Sequence, residues 1–336
     1  MTTVNSTVCE TMLTYSKSVE LRLSLLINWF IMLPSFPIIG YSFFYCWTRR
    51  LFHKNTQLQV IIHLGGLLIH CFGRFSLHTL DLFNYFHPHT DGCDILPNFY
   101  RCLILRFFYN SGQALISMTP LSIILERLIA VGYNRAYENC SINYGVLLGA
   151  LQIALAIAYL TTRYIHAAFR PASFTFFYCQ TLVSSTISTN ETYIPLLLII
   201  VSHIVSILIF RCLEIKNKKL REVVDINLST RYTLDQGRRS FIALKCFISY
   251  NCLMVSLITA GLMFLHLVSS HFSKPNYMAI IEMTHAIPLY GMIVCIAVYW
   301  KLRTIDGEQR RNITMALRGQ AVHTDLYFQM FEKQLN

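Results

Sequence analysis

Residues 99–127 read FYRCLILRFFYNSGQALISMTPLSIILER. From Phe99 to Leu125 the run is mostly apolar and longer than the roughly 20 residues a helix needs to cross a bilayer. Cys102 stands near one end and the Glu126-Arg127 pair at the other. At about 1.5 Å of rise per residue, Cys102 and Arg127 are roughly 37 Å apart and mark opposite faces of a membrane. Six more runs of this kind occupy 23–47, 58–80, 144–165, 193–210, 241–268 and 278–300. The expected fold is therefore all-α: a bundle of seven transmembrane helices over residues 23–300, with a short terminus (1–22) before it and a tail (301–336) after it. That terminus has no apolar core and no small-residue cleavage site, so the first helix is expected to act as its own insertion signal.

Composition points the same way. Of the 336 residues 54% are hydrophobic and 13% are charged, with a mean hydropathy of +0.46. Soluble domains carry about a quarter charged residues. The net charge of +11 is not spread over a nucleic-acid-binding face. It sits in short blocks between apolar runs, which is the pattern of cytoplasmic membrane loops. With the N-terminus outside, nineteen Lys and Arg fall in the inner loops and tail and four in the outer segments. That asymmetry predicts an extracellular N-terminus and a cytoplasmic C-terminus. The lipid bilayer is thus an expected partner and nucleic acid is not. No internal repeat and no paired broken helices of the transporter kind are visible.

On this topology Cys9, Cys93, Cys102 and Cys179 face the oxidising side, where disulfides persist. Four cysteines allow three pairings. Cys102 caps the outer end of the third helix, and a Cys102–Cys179 bridge would pin the second outer loop over the bundle mouth, leaving Cys9 for Cys93. The competing arrangement joins Cys93 to Cys179 and leaves a thiol free. Asn5-Ser-Thr and Asn190-Glu-Thr are N-glycan acceptors on the outer side. The same pattern at Asn139, Asn227 and Asn312 falls on the inner side, so it also arises by chance.

Ionisable residues inside a bilayer cost about 2.5–3.5 kcal/mol each at mid-depth and persist where they face a partner or a cavity. His63, His70, Arg74, His78 and Asp81 recur at helical spacing on one face of the second span. Arg106, Asn110, Gln113 and Ser117 do so on the third, and Glu282 and His285 are three apart on the seventh. These stripes should turn inward, with Glu282 and Asp81 as acidic partners for Arg74 or Arg106. The plainer reading is helix-to-helix hydrogen bonding alone. No cysteine or carboxylate cluster at ligand spacing joins the histidines, so no metal and no cofactor is expected. At the inner end of the third span, the Glu126-Arg127 pair can lock helix ends together, or Arg127 can simply snorkel to the headgroups. The third inner loop, 211–240, is the most basic segment. Thr233 and Gln236 there form a capping box ahead of the sixth span, and Leu213, Leu220 and Val224 share a face that would extend the fifth span inward. No GxSxG, HExxH or Gly-rich phosphate loop is present, so no enzymatic activity is expected.

Several of these segments carry a family likeness. His63-Leu-Gly-Gly-Leu-Leu-Ile-His70 with Arg74 and His78-Thr-Leu-Asp81, Cys93-Asp-Ile-Leu-Pro-Asn-Phe-Tyr-Arg101-Cys102 with Arg106 and Tyr109-Asn110, Glu126-Arg127-Leu-Ile-Ala, Tyr178-Cys179 and Asn227-Leu-Ser-Thr-Arg231-Tyr232 resemble the blocks of nematode serpentine chemoreceptors of the class alpha/beta group, within the alpha superfamily. The loop block departs from that family, reading Thr233-Leu-Asp-Gln236-Gly237 where relatives continue with Gln and end in Glu-Asn. The sixth span has no proline and the seventh no Asn-Pro motif, so rhodopsin-type activation details do not transfer. The resemblance implies a plasma-membrane receptor of sensory-neuron cilia with two partners, a small environmental ligand and a heterotrimeric G protein. The ligand set expected is Arg74, Arg106, Tyr109, Asn110, Gln113, Glu282 and His285, and the G-protein set is Glu126, Arg127, Arg231 and Tyr232. Two other classes remain open to such a chain: a small-molecule transporter or channel, and a membrane protein that helps receptors reach the surface.

Overall fold

The computed structural model describes residues 6–48, 52–133, 142–168, 179, 189–223 and 228–305, with 307, 311 and 314 beyond them. Among the described residues all regular structure is helical. A short α1 (Ser6–Lys17) leads into α2 (Val19–Thr48), followed by α3 (Lys54–Phe86), α4 (Phe99–Tyr133), α5 (Asn143–Ala168), α6 (Thr189–Val223) and α7 (Leu228–Leu267). The last span is α8 (Lys274–Thr284), a break at 285–286, and α9 (287–305). With α8 and α9 taken together, seven stretches are long and apolar enough to cross a membrane.

Local chemistry sets the helix ends. The Ser18 hydroxyl accepts from the Leu21 N–H at 3.2 Å and caps α2. His53 Nδ1 caps α3 by accepting from the Asn55 N–H. Pro275 sits in the first turn of α8 behind Ser273, where its missing N–H costs nothing. Pro288 breaks the seventh span: it offers no N–H to the Thr284 carbonyl, which accepts from Ala286 at 2.8 Å instead.

The polar ends of the helices differ from the sequence expectation in one respect. α7 already runs from Leu228, so Thr233 and Gln236 lie inside it and do not cap its start. A capping box serves N–H groups that have no helical partner. Once α7 is nucleated a turn and more upstream, those at 233–236 are bonded within the helix. On α6, Leu213 is buried, and Lys245 of α7 reaches Glu214 at 2.9 Å, so the two helices stay paired where they become polar.

Outward faces carry exposed Leu147, Leu198, Leu208, Leu253, Leu257 and Phe264. Apolar patches of that extent are a liability in water and are satisfied by lipid. The interior is the reverse: Thr56, Gln59, His63, His70, Arg74, His78 and Asp81 of α3 are all buried. α3 lies against α4 so closely that a Cβ on Gly112 would be 2.4 Å from the Gly66 carbonyl oxygen. One on Gly73 would be 2.5 Å from the Tyr109 nitrogen. Small residues at such a crossing let two backbones meet.

Both disulfides are at one end of the bundle. Cys102 at the head of α4 is joined to Cys179, and Cys9 of α1 is joined to Cys93 in the 3-10 turn Gly92–Ile95, with Cα separations of 5.1 and 4.6 Å. Of the two arrangements weighed above, this is the first and not the one that joins Cys93 to Cys179. Asp91 lies beside Cys9 and Cys93, but their sulfurs are spent on each other and offer a metal no thiolate. Asn5 lies outside the described residues, and Asn190 falls in the first turn of α6.

Candidate functional site

The site begins with the break in the seventh span. In an unbroken helix the Glu282 carbonyl would accept from the N–H of Ala286, but that N–H has turned to Thr284. The orphaned Glu282 carbonyl accepts from Arg74 Nη2 at 2.5 Å and from Asn28 Nδ2 of α2 at 3.1 Å. Arg74 Nη1 donates to the His285 carbonyl. One guanidinium on α3 therefore caps the C-terminal end of α8, where carbonyls accumulate partial negative charge.

The Glu282 side chain then gathers the cluster. Its Oε2 lies 3.2 Å from Arg74 Nη2 and 3.2 Å from His78 Nε2, and its Oε1 lies 3.1 Å from Arg106 Nη2. Arg74 is 0% and Glu282 1% exposed, so these charges sit away from water. Taking an ion out of water costs several kcal/mol, which only close, well-bonded opposite charges offset. Arg106 Nε donates to the Cys179 carbonyl, so the Cys102–Cys179 bridge sets a backbone acceptor on top of the cluster. The Tyr109 ring lies under both cations, 4.8 Å from the Arg106 guanidinium carbon and 5.8 Å from that of Arg74. Such placement against an aromatic face is favourable for a cation. The His285 ring is 5.8 Å from Tyr109, and its Nδ1 donates to the Ile281 carbonyl at 3.0 Å.

Of the seven residues expected at a ligand site, Arg74, Arg106, Tyr109, Glu282 and His285 come together here. Asn110 is half-buried just beyond Tyr109. Gln113, also half-buried, stands about 10 Å further along α4 than Arg106. Glu282 takes both arginines, while Asp81 is held by Arg101 at 2.9 Å. The ligand set expected from the sequence left out three participants. His78 was on the stripe, four residues from Arg74, and its spacing could have placed it. Asn28 is a lone amide in an apolar span. The Cys179 carbonyl carries no side-chain signal at all.

The opposite end of α4 carries a second buried ion pair. Arg127 donates from Nε and Nη2 to the Glu126 carboxylate and from Nη2 to the Thr56 hydroxyl, and Thr56 itself donates to Glu126 Oε1 at 2.9 Å. The Arg127 guanidinium carbon lies 5.9 Å from the Phe241 ring centre, so α3, α4 and α7 meet at this point. Arg231 and Tyr232 belong to the backbone of α7 on this side, and their side chains lie outside the described residues.

Between the two ion clusters α4 is hydrogen-bonded to its neighbours. Ser122 donates to Gln59 at 2.6 Å, and His63 links Thr119 at 3.1 Å to the Tyr290 hydroxyl at 3.2 Å. Gln152 of α5 donates to Thr119, His203 of α6 to the Ser117 carbonyl and Asn251 of α7 to the Ile116 carbonyl. A buried network in which members are paired holds helices in one relative arrangement.

Comparison with known proteins agrees with this architecture. The profile of the family described as "Serpentine type 7TM GPCR receptor class ab chemoreceptor" matches residues 6–336. Among curated proteins, Serpentine receptor class beta-6 of Caenorhabditis elegans is 25% identical over 299 residues, covering 81% of this chain and 85% of that protein. With a match across nearly its whole length, the chain belongs to the class ab family of serpentine seven-transmembrane chemoreceptors.

Proposed function

We propose that the chain is a plasma-membrane receptor that binds a small environmental ligand at its disulfide-bearing end and activates a heterotrimeric G protein at the other. The observation that carries this reading is the meeting of Arg74, Arg106 and His78 on Glu282 beneath Cys179, with the Tyr109 ring against both arginines. A polar cluster whose members come from three spans and one loop changes when those spans move, so a ligand that prefers one arrangement shifts the population. The loop charge asymmetry supports an orientation with the disulfide end outside and Glu126-Arg127 inside, where a G protein would read the ends of α4, α6 and α7. The ligand site is built from Arg74, Arg106, Tyr109, Asn110, Gln113, Glu282 and His285. Glu126, Arg127, Arg231 and Tyr232 form the coupling face, and family membership favours sensory cilia as the location.

The test is G-protein activation in cells expressing the chain, screened against small odorants and secreted nematode metabolites. A response abolished by Arg127→Ala at equal surface expression supports the reading. Solute flux through the chain without G-protein activation would replace it with a transporter. An effect only on the surface delivery of other receptors would replace it with a trafficking role.

A further inference from the structure

At the centre of the disulfide end two guanidinium groups share one carboxylate. Arg74 and Arg106 both contact Glu282, while Asp81, the other buried carboxylate described there, is taken by Arg101. Guanidinium does not lose its proton in proteins. The pair therefore carries one positive charge more than Glu282 neutralises. Two donors beside that carboxylate also lack acceptors: Arg74 Nε and the Tyr109 hydroxyl are buried with no hydrogen-bond partner among the described residues. An unsatisfied buried donor costs about 1–3 kcal/mol. Both belong to side chains that flank the Glu282 carboxylate, since Tyr109 lies under the two cations that hold it.

We infer that the ligand is a small organic carboxylate whose charged head displaces Glu282 from Arg74 and Arg106. This rests on the receptor reading above. The exchange replaces one carboxylate by another between the same two cations, and it gives Arg74 Nε and the Tyr109 hydroxyl the acceptors they lack. An amine would bring a further positive charge beside two that are already under-neutralised, and an alcohol would leave the surplus untouched. His70 Nε2 and His78 Nδ1 are also unpartnered and are acceptors in the neutral rings, while Asp81 Oδ2 and Arg101 Nε are left over within their own ion pair. The sister nitrogens of the two histidines donate to the Tyr109 carbonyl and to Glu282. The two ring acceptors suit a hydroxyl on the body of the ligand.

The same exchange reaches the helix break. Arg74 holds the Glu282 and His285 carbonyls that the Pro288 break leaves open. A ligand that turns this guanidinium toward itself loosens the cap of α8 and frees α8 to move against α9. Glu282 thus acts as a tethered stand-in for the ligand, keeping the unliganded arrangement closed.

The experiment uses the purified full-length chain in lipid nanodiscs. Its thermal unfolding is followed with straight-chain carboxylates from acetate to decanoate, and with alcohols and amines of equal length at equal ionic strength. At least one carboxylate is expected to raise Tm where its alcohol and amine do not, and Arg106→Gln to remove the shift. Glu282→Gln takes away the internal competitor and should tighten carboxylate binding roughly tenfold. In Glu282→Ala, formate or acetate should restore Tm and chloride should not. The inference is overturned if alcohols or amines stabilise as well as carboxylates, if no carboxylate shifts Tm, or if Glu282→Gln weakens binding. Should the Glu282 variants fail to fold, wild type and Arg106→Lys decide: a weaker shift that keeps its preference for carboxylates supports it, and lost preference overturns it. Running the panel in the G-protein assay separates the two readings. Activation by a neutral or cationic compound keeps the receptor and overturns the carboxylate. Carboxylate binding without activation upholds the carboxylate and overturns coupling.

Discussion

Arg74 joins more of the molecule than any single contact suggests. It binds the Glu282 carboxylate, caps the open carbonyls of α8 and stands over Tyr109. Arg74→Met should therefore lower stability by about 3–5 kcal/mol, the range for removing one partner of a buried pair. It would be read as a fall in Tm of the purified chain. Arg74→Lys keeps the charge but not the fork that spans carboxylate and carbonyls, so its Tm should fall between the two. At the other end of α4, Glu126→Gln leaves Arg127 with a weaker partner, and ligand-independent G-protein activation should rise by about several-fold. Unchanged basal activation at equal surface expression would mean that the pair only holds helices together. The inward turn of the histidine–arginine stripe was legible from spacing alone, because five ionisable residues on one face of an apolar helix have nowhere else to go. That Glu282 would take both arginines was not legible, because Asp81 offered the same charge.

Among the elements, α3 and α4 depend on the absence of side chains where they cross. Gly112→Ala puts a Cβ 2.4 Å from backbone oxygen, which cannot step aside as a side chain could. The two helices must separate, at a cost of about 1–3 kcal/mol. Gly40→Ala in α2 meets nothing within 4 Å and should be neutral or stabilise by up to about 1 kcal/mol through helix propensity. Comparing the two variants by thermal unfolding separates steric crowding from propensity, and equal Tm values would refute the close crossing. The extents of α6 and α7 illustrate a different limit of sequence reading. Hydropathy marks where a helix leaves lipid, not where it stops, and α7 goes on through polar residues to Leu228. The capping box at Thr233 was misplaced for that reason.

For the whole molecule, the two disulfides close long stretches of chain, with sequence separations of 84 and 77 residues. Loss of either should cost about 2–5 kcal/mol. Their functional consequences should differ. Cys102→Ser releases the Cys179 carbonyl from Arg106 and should abolish the ligand response of receptors that still reach the surface. Cys9→Ser frees only α1 and should lower surface expression while the remaining receptors respond normally. Dose–response curves normalised to surface protein check this, and equal losses in both variants would remove the special role of the Cys179 carbonyl.

The sequence by itself determined the all-helical class, the seven spans and which faces of α3 and α4 turn inward. Each of these follows from the local cost of placing charge or bare backbone in lipid, and that cost can be read residue by residue. The tertiary structure alone decided which carboxylate the arginines share, which cysteines pair, and that the Pro288 break opens carbonyls for Arg74 to hold. Those outcomes depend on distances between residues from 77 to more than two hundred positions apart in the chain, and a linear pattern carries no such distances.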